Sequence, residues 1–168
     1  MLSQNVTDSL NKQLSREFYS ANLYLQMSSW CLSHGLDGCG KFLRQHADEE
    51  RQHMEKFFDY INDAGGYAMI GAIEQPSFEF ESVTEVFEAI YAHEQMITRE
   101  INSLLKIAFE AGDFSTFGFL QYFALEQNEE ESLFKNILDK IELIKVEKQG
   151  LFLFDKEIES MSKERSVA

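Results

Sequence analysis

Four stretches of this chain with helical periodicity each carry a polar residue in the middle of the face that ought to be buried, and those residues recur at a fixed interval. Glu17 and Glu50 lie 33 positions apart (17 to 50), and so do Glu94 and Gln127 (94 to 127). Each second member has a polar companion three positions on, His53 in one case and Glu130 in the other. At about 100° per residue, the run QHADEERQHMEKFF at 45–58 places Glu50 at the centre of a stripe made by Leu43, Met54, Phe57 and Ile61, with His53 on its flank. Leu10, Leu14, Ala21, Tyr24 and Ser28 surround Glu17 in the same way, and Phe87, Ile90, Ile97, Ile101 and Leu105 surround Glu94. Leu120, Phe123, Phe134, Leu138 and Ile141 form the last stripe, which contains Gln127 and Glu130. An isolated buried carboxylate is costly. Several at matching positions require a fold in which they meet.

Start and stop signals set the helices at about 3–34, 37–64, 83–112, 114–144 and 150–163. The segment SHGLDGCG ends the first and opens the second, and Gly65-Gly66 closes the second. Ser82 with Glu85 three residues on is a capping box for the third. Asp113 or Ser115 caps the fourth, and Leu151, Phe154, Ile158 and Met161 share one side of a short fifth. Short links within the first and second pairs make two antiparallel hairpins. The long segment between them, YAMIGAIEQPSFEFE, holds the single proline and can run the length of a bundle. The fold class is all-α: a four-helix bundle with one long crossover and a fifth C-terminal helix, the ferritin-like arrangement. The 168 residues are expected to form a single domain, 1–168. Equal spacing within antiparallel hairpins brings the four polar positions to one level.

Charge and composition narrow the partners. A formal net charge of −14 excludes a nucleic-acid backbone as partner. No run approaches the roughly 18 apolar residues of a membrane span, and MLSQNVTDSLNKQ has neither the basic nor the apolar part of a secretory signal. Cys31 and Cys39 have no zinc-site spacing and are expected as free thiols, which points to the cytoplasm.

Carboxylates gathered in a low dielectric repel one another and tend to take up protons. A pair of divalent cations removes the conflict, because negative charge is then needed for coordination. Oxygen-rich ligation with about one imidazole suits iron, and one Glu from each of two helices plus Glu-x-x-His from the others is the di-iron carboxylate pattern. Glu50-Arg51-Gln52-His53 satisfies it, whereas the second motif reads Gln127-Asn128-Glu129-Glu130. Glu49, Glu126, Glu129 and Glu130 form a further acidic group beside it, suited together to an additional cation, while Glu49 or Glu129 taken alone reads as part of a solvated face.

These motifs resemble the bacterial non-haem ferritins nearly end to end, from LSREFYSANLYLQMSSWC through FLRQHADEERQHM and HEQMITREI to FLQYFALEQNEEESLFKNILDK and GLFLFDKE. The resemblance implies one iron at Glu17, Glu50 and His53, and a second at Glu50, Glu94 and Glu130 with Gln127 beside it. It implies a third at Glu49, Glu126, Glu129 and Glu130, and places Tyr24 next to the dinuclear centre. Arg51 stands where a bacterioferritin would have a haem-ligating methionine, so no haem is expected. Some relatives have tryptophan at position 122, where this chain has Tyr122. Tyr19 and Trp30 lie on the side of the first helix away from Glu17, and a helix apolar on both sides implies a subunit neighbour.

The expected function is iron storage and detoxification with ferroxidase activity. Fe(II) would be oxidised by dioxygen or hydrogen peroxide and kept as ferric mineral, and the resemblance implies that it is held inside a homo-oligomeric shell of twenty-four subunits. The alternative is a di-iron oxygenase or peroxidase acting on another substrate.

Overall fold

The computed structural model describes residues 2–144 and 148–165. Five helices follow in order: α1 (Gln4–Ser33), α2 (Asp37–Asp63), α3 (Val83–Glu110), α4 (Phe114–Ile144) and α5 (Lys148–Arg165). The first four agree with the sequence expectation to within two residues at each end, while α5 begins two residues earlier and ends two later than expected. Met1 and residues 166–168, the ends of the expected 1–168 unit, lie outside the described residues, as do 145–147 between α4 and α5. Among the described residues no helix is long and apolar enough to cross a membrane.

Local chemistry accounts for the helix ends. Ser3 and Ser82 accept from the backbone N–H groups of Val6 and Glu85, and Asp113 accepts from that of Thr116 at 3.0 Å. The reciprocal half of the expected capping box is displaced by one residue: Glu85 accepts from the N–H of Glu81, not of Ser82. Gly35 and Gly112 turn the two hairpins with φ of 74° and 67°, a region open to glycine at little steric cost.

The hairpin α1–α2 packs against the hairpin α3–α4, and the apolar core they enclose is in two halves. One half contains Tyr24, Met27, Phe42, Leu43, Phe87, Ile90 and Phe134. The other contains Leu10, Leu14, Phe57, Ile61, Ile97, Ile101 and Phe123. Along each of the first four helices the change from one half to the other occurs at the polar position: Glu17, Glu50, Glu94 and Gln127 are all buried between the two. Leu105 and Leu138, expected in the stripes, are only partly buried; their neighbours Leu104 and Ile137 take the inner positions. A real helix drifts from an exact repeat, so faces rotate by about 20° per heptad.

The crossover, residues 64–82, runs over α1. Buried Asn11 clamps it through its amide, which donates to the carbonyl of Tyr67 (3.0 Å) and accepts from the N–H of Met69 (2.7 Å). The crossover also bears on the two aromatics at the back of α1. Trp30 is covered by its own chain, edge-on to Phe80 with centroids 5.9 Å apart and stacked on His34 at 4.0 Å. Tyr19 borders a cleft beneath Ala72 and Ile73. The back of α1 is therefore met by the crossover, and these two aromatics do not by themselves call for a subunit neighbour.

Helix α5 docks on the start of α2. Leu36, the N-cap of α2, provides no side-chain hydrogen bond. Buried Asp155 of α5 supplies it instead, accepting from the N–H groups of Gly38 (3.0 Å) and Cys39 (2.8 Å). Phe154 and Ile158 are fully buried beside it, with Leu151 and Met161 packed against the same cluster. Contact is so close that a Cβ on Gly38 would lie 2.1 Å from the carbonyl oxygen of Asp155. Asp155→Ala leaves two helix-terminal N–H groups without their charged acceptor, a loss of about 2 kcal/mol, and Gly38→Ala forces α5 away. Both variants are expected to be cut by protease within α5 first, with the four-helix body still intact. Protection of α5 equal to wild type would show that the docking rests on the apolar contacts alone.

Candidate metal centre

The polar layer brings together most of the residues singled out from sequence. One ligand atom each from Glu17, Glu50 and His53 lies within 4.8 Å of the other two, and all three residues are buried. Nδ1 of His53 is 3.6 Å from a Glu50 oxygen and 4.0 Å from Oε2 of Glu17. Bonds of about 2.0–2.2 Å from a first-row divalent cation to such ligands would draw the three in by small side-chain shifts. The other oxygen of Glu17, Oε1, accepts from Nε2 of Gln13 at 2.7 Å.

Glu94 sits across the layer with both oxygens engaged. The Tyr24 hydroxyl donates to Oε1, and Gln127 Nε2 donates to Oε2 at 2.8 Å. The same amide reaches the Glu94 carbonyl at 3.2 Å, so Gln127 ties α4 to α3 at this level. Tyr24 is fully buried and packs against Phe134.

Electrostatics follow from burial and crowding. Loss of solvent, followed by the charge of Glu50, pushes the Glu17 carboxyl up to about 8. Burial pushes Glu94 up to about 7, even though the bonds from Tyr24 and Gln127 act the other way. Glu50 is held well above the usual carboxylate range by burial and then by Glu94. Without a cation the layer binds protons near neutral pH. A dication can replace them, and this is the chemistry that such a donor set supports.

A second group lies alongside. Ligand atoms of His46, Glu49 and Glu130 are within 4.8 Å of one another. His46 Nε2 is 3.4 Å from Glu130 and 3.9 Å from Glu49, while its Nδ1 approaches the Phe42 carbonyl at 3.3 Å. The acids grouped from sequence separate here. Glu49 and Glu130 meet at His46, Glu126 leans to within 3.8 Å of His53 Nε2, and Glu129 is exposed. Sequence reasoning passed over His46, although its place four residues before Glu50 puts it on the same helix face. It also passed over His93, which is bonded to the Ser20 hydroxyl at 2.7 Å and pushed down to about 4 by burial, hence neutral beside Tyr24.

Cys31 and Cys39 are free, as expected, and both are buried. Burial raises both thiols, Cys31 to about 12, so neither is a thiolate ligand at neutral pH. Arg51, next to Glu50, is exposed and paired with Asp48.

Comparison with known proteins agrees with this architecture. Residues 7–144 match the ferritin-like domain family. A Haemophilus influenzae protein named "Probable bacterial non-heme ferritin-like protein" is 51% identical, over 96% of this chain and 98% of that one. The bacterial non-haem ferritin of Campylobacter jejuni is 46% identical, over 98% of this chain and 99% of its own length. Among solved structures, the open-pore ferritin of the hyperthermophilic archaeon Archaeoglobus fulgidus superposes with a TM-score of 0.92 at 38% identity, covering 94% of this chain and 96% of that one. With the likeness spread over the whole bundle and its carboxylates at one level, the chain belongs to the ferritin family, among the bacterial non-haem ferritins.

Proposed function

We propose that this chain stores iron by oxidising Fe(II) at the buried carboxylate layer and holding the product as ferric mineral inside a homo-oligomeric shell of twenty-four subunits in the cytoplasm. The observation that carries this reading is the meeting of Glu17, Glu50 and His53 within 4.8 Å in an otherwise apolar bundle. Substrate Fe(II) takes two positions: one at Glu17, Glu50 and His53, the other at Glu50, Glu94 and Glu130, with Glu50 common to both. Each ion gives up one electron, so two Fe(II), one dioxygen and two protons yield two Fe(III) and one hydrogen peroxide. Hydrogen peroxide can serve as oxidant in place of dioxygen. Protons displaced from Glu17 and Glu94 by the arriving ions are on hand for this step. Gln127 adds no charge and steadies Glu94, and the Tyr24 hydroxyl holds the other oxygen of the same carboxylate.

A third ion is taken up beside the pair where Glu49 and Glu130 meet the His46 imidazole, and Glu126 and Glu129 join it only by swinging in from His53 and from solvent. No haem is part of this reading, since Arg51 offers no axial ligand. The test is to add Fe(II) in large excess to metal-free protein in air and to measure iron eluting with the assembled particle. Soluble particles with far more iron than the few ions per subunit held by side chains are expected. Iron that stops at that level, or precipitates outside the protein, would overturn storage.

A further inference from the structure

We infer that Gln13 is a positioning residue for the first iron position, setting which oxygen of Glu17 faces the ions. This rests on the reading above that Glu17 binds iron. Gln13 is 2% exposed and lies one helical turn before Glu17 on α1. Its Nε2 donates to Glu17 Oε1, whereas Oε2 is the oxygen turned towards His53.

The placement of this amide is not dictated by packing. Gln13 lines a cavity of about 140 Å³ between α1 and α3, together with Ser9, Lys12, Glu100 and Ser103, so polar partners and open space lie on its other side. It is nonetheless bonded inward. A carboxamide suits the position for two reasons. It brings no charge to a layer already crowded with acids, and once Glu17 is ionised, as ion binding requires, its donor cannot be exchanged for its carbonyl without setting oxygen against oxygen. With Oε1 held by the amide, Glu17 ligates through Oε2 alone, and coordination positions on the ion stay open for the oxidant. Partners of this outer kind change metal affinity by roughly 10- to 100-fold when removed.

The experiment is anaerobic Fe(II) titration of the assembled protein, followed by initial oxidation rates across Fe(II) concentration. Gln13→Met keeps length and helix preference but lacks the donor. It is expected to weaken one of the two tight positions by about 10- to 100-fold and leave the other unchanged. The Fe(II) concentration for half-maximal rate should rise with the rate at saturation largely kept, a split that a general loosening of the bundle would not give. Gln13→Leu should behave alike, and neither change should matter further in a Glu17→Ala background. If Glu17→Ala weakens one position while Gln13→Met and Gln13→Leu bind both ions as wild type does, Gln13 has no positioning role. If Glu17→Ala itself leaves both positions at wild-type affinity, the assignment of iron to Glu17 fails, and this inference falls with it.

Discussion

Replacing Glu50 by alanine is expected to reduce the initial rate of Fe(II) oxidation by more than about 100-fold, beyond what loss of an outer partner of a metal ligand brings about. Glu50 stands between the two halves of the layer, close to Glu17 and His53 on one side and feeling the charges of Glu94 and Glu130 on the other. Without it neither iron position keeps its shared ligand, and two ions no longer sit close enough to deliver a pair of electrons together. The helices should remain in place, because Leu43, Phe57 and Ile61 on the same face of α2 are fully buried in the two apolar clusters. Removing an acid from a crowded, desolvated site also relieves repulsion in the metal-free state. His53→Ala, by contrast, should weaken only one of the two positions. Stopped-flow absorbance after mixing with Fe(II) in air gives the rates, and size-exclusion chromatography reports assembly. Rapid oxidation by an assembled Glu50→Ala protein at near wild-type rate would remove the dinuclear assignment.

The part of this architecture that period and punctuation determine was legible in the sequence. Ser82, Asp113 and the glycines near 35, 65 and 112 mark helix ends through backbone chemistry that is local. Glu17, Glu50 and Glu94 were placed correctly among their apolar neighbours because a face depends only on spacing along one helix. What lay out of reach depends on contacts between helices. Asp155 finds the N-terminus of α2 from 117 residues away, and no feature of the run around it names that target. His46 and His93 read as ordinary helical histidines until the facing helices supply Glu130 and Ser20. Glu126 and Glu129 lie on neighbouring flanks of α4, and only the position of α2 decides that one leans to His53 while the other faces solvent. The cover that Phe80 gives Trp30 was out of reach for the same reason: the crossover is irregular, and irregular chain has no period from which to infer its path.

Metal-free protein is expected to lose stability as pH rises from about 6.5 to about 8, and divalent metal should reverse the trend. A carboxyl whose folded pKa lies above its unfolded value binds a proton on folding between the two values. Its contribution is complete below the unfolded value of 4.5 and disappears as pH climbs through the folded one, about 8 for Glu17 and about 7 for Glu94. His93 works in the opposite sense. Buried and neutral, with its pKa lowered from 6.5 to about 4, it favours the folded state above pH 6.5 and loses that contribution as pH falls towards 4. The two effects offset each other below pH 6.5, so the decline is unopposed only above it. At 1.36 kcal/mol per pKa unit, Glu17 alone accounts for about 2 kcal/mol across that window, and Glu50 adds to it in the same direction. Thermal denaturation of the metal-free shell should therefore show a falling Tm from pH 6.5 to 8 in wild type and a flatter line in Glu17→Gln. Zn(II), which brings no redox chemistry, should raise Tm more at pH 8 than at pH 6.5, because at the lower pH it must displace protons that the carboxylates hold. A wild-type Tm that is level across this range, or a slope unchanged by Glu17→Gln, would show that the buried acids are not protonated in the metal-free protein and that their charge is balanced in some other way.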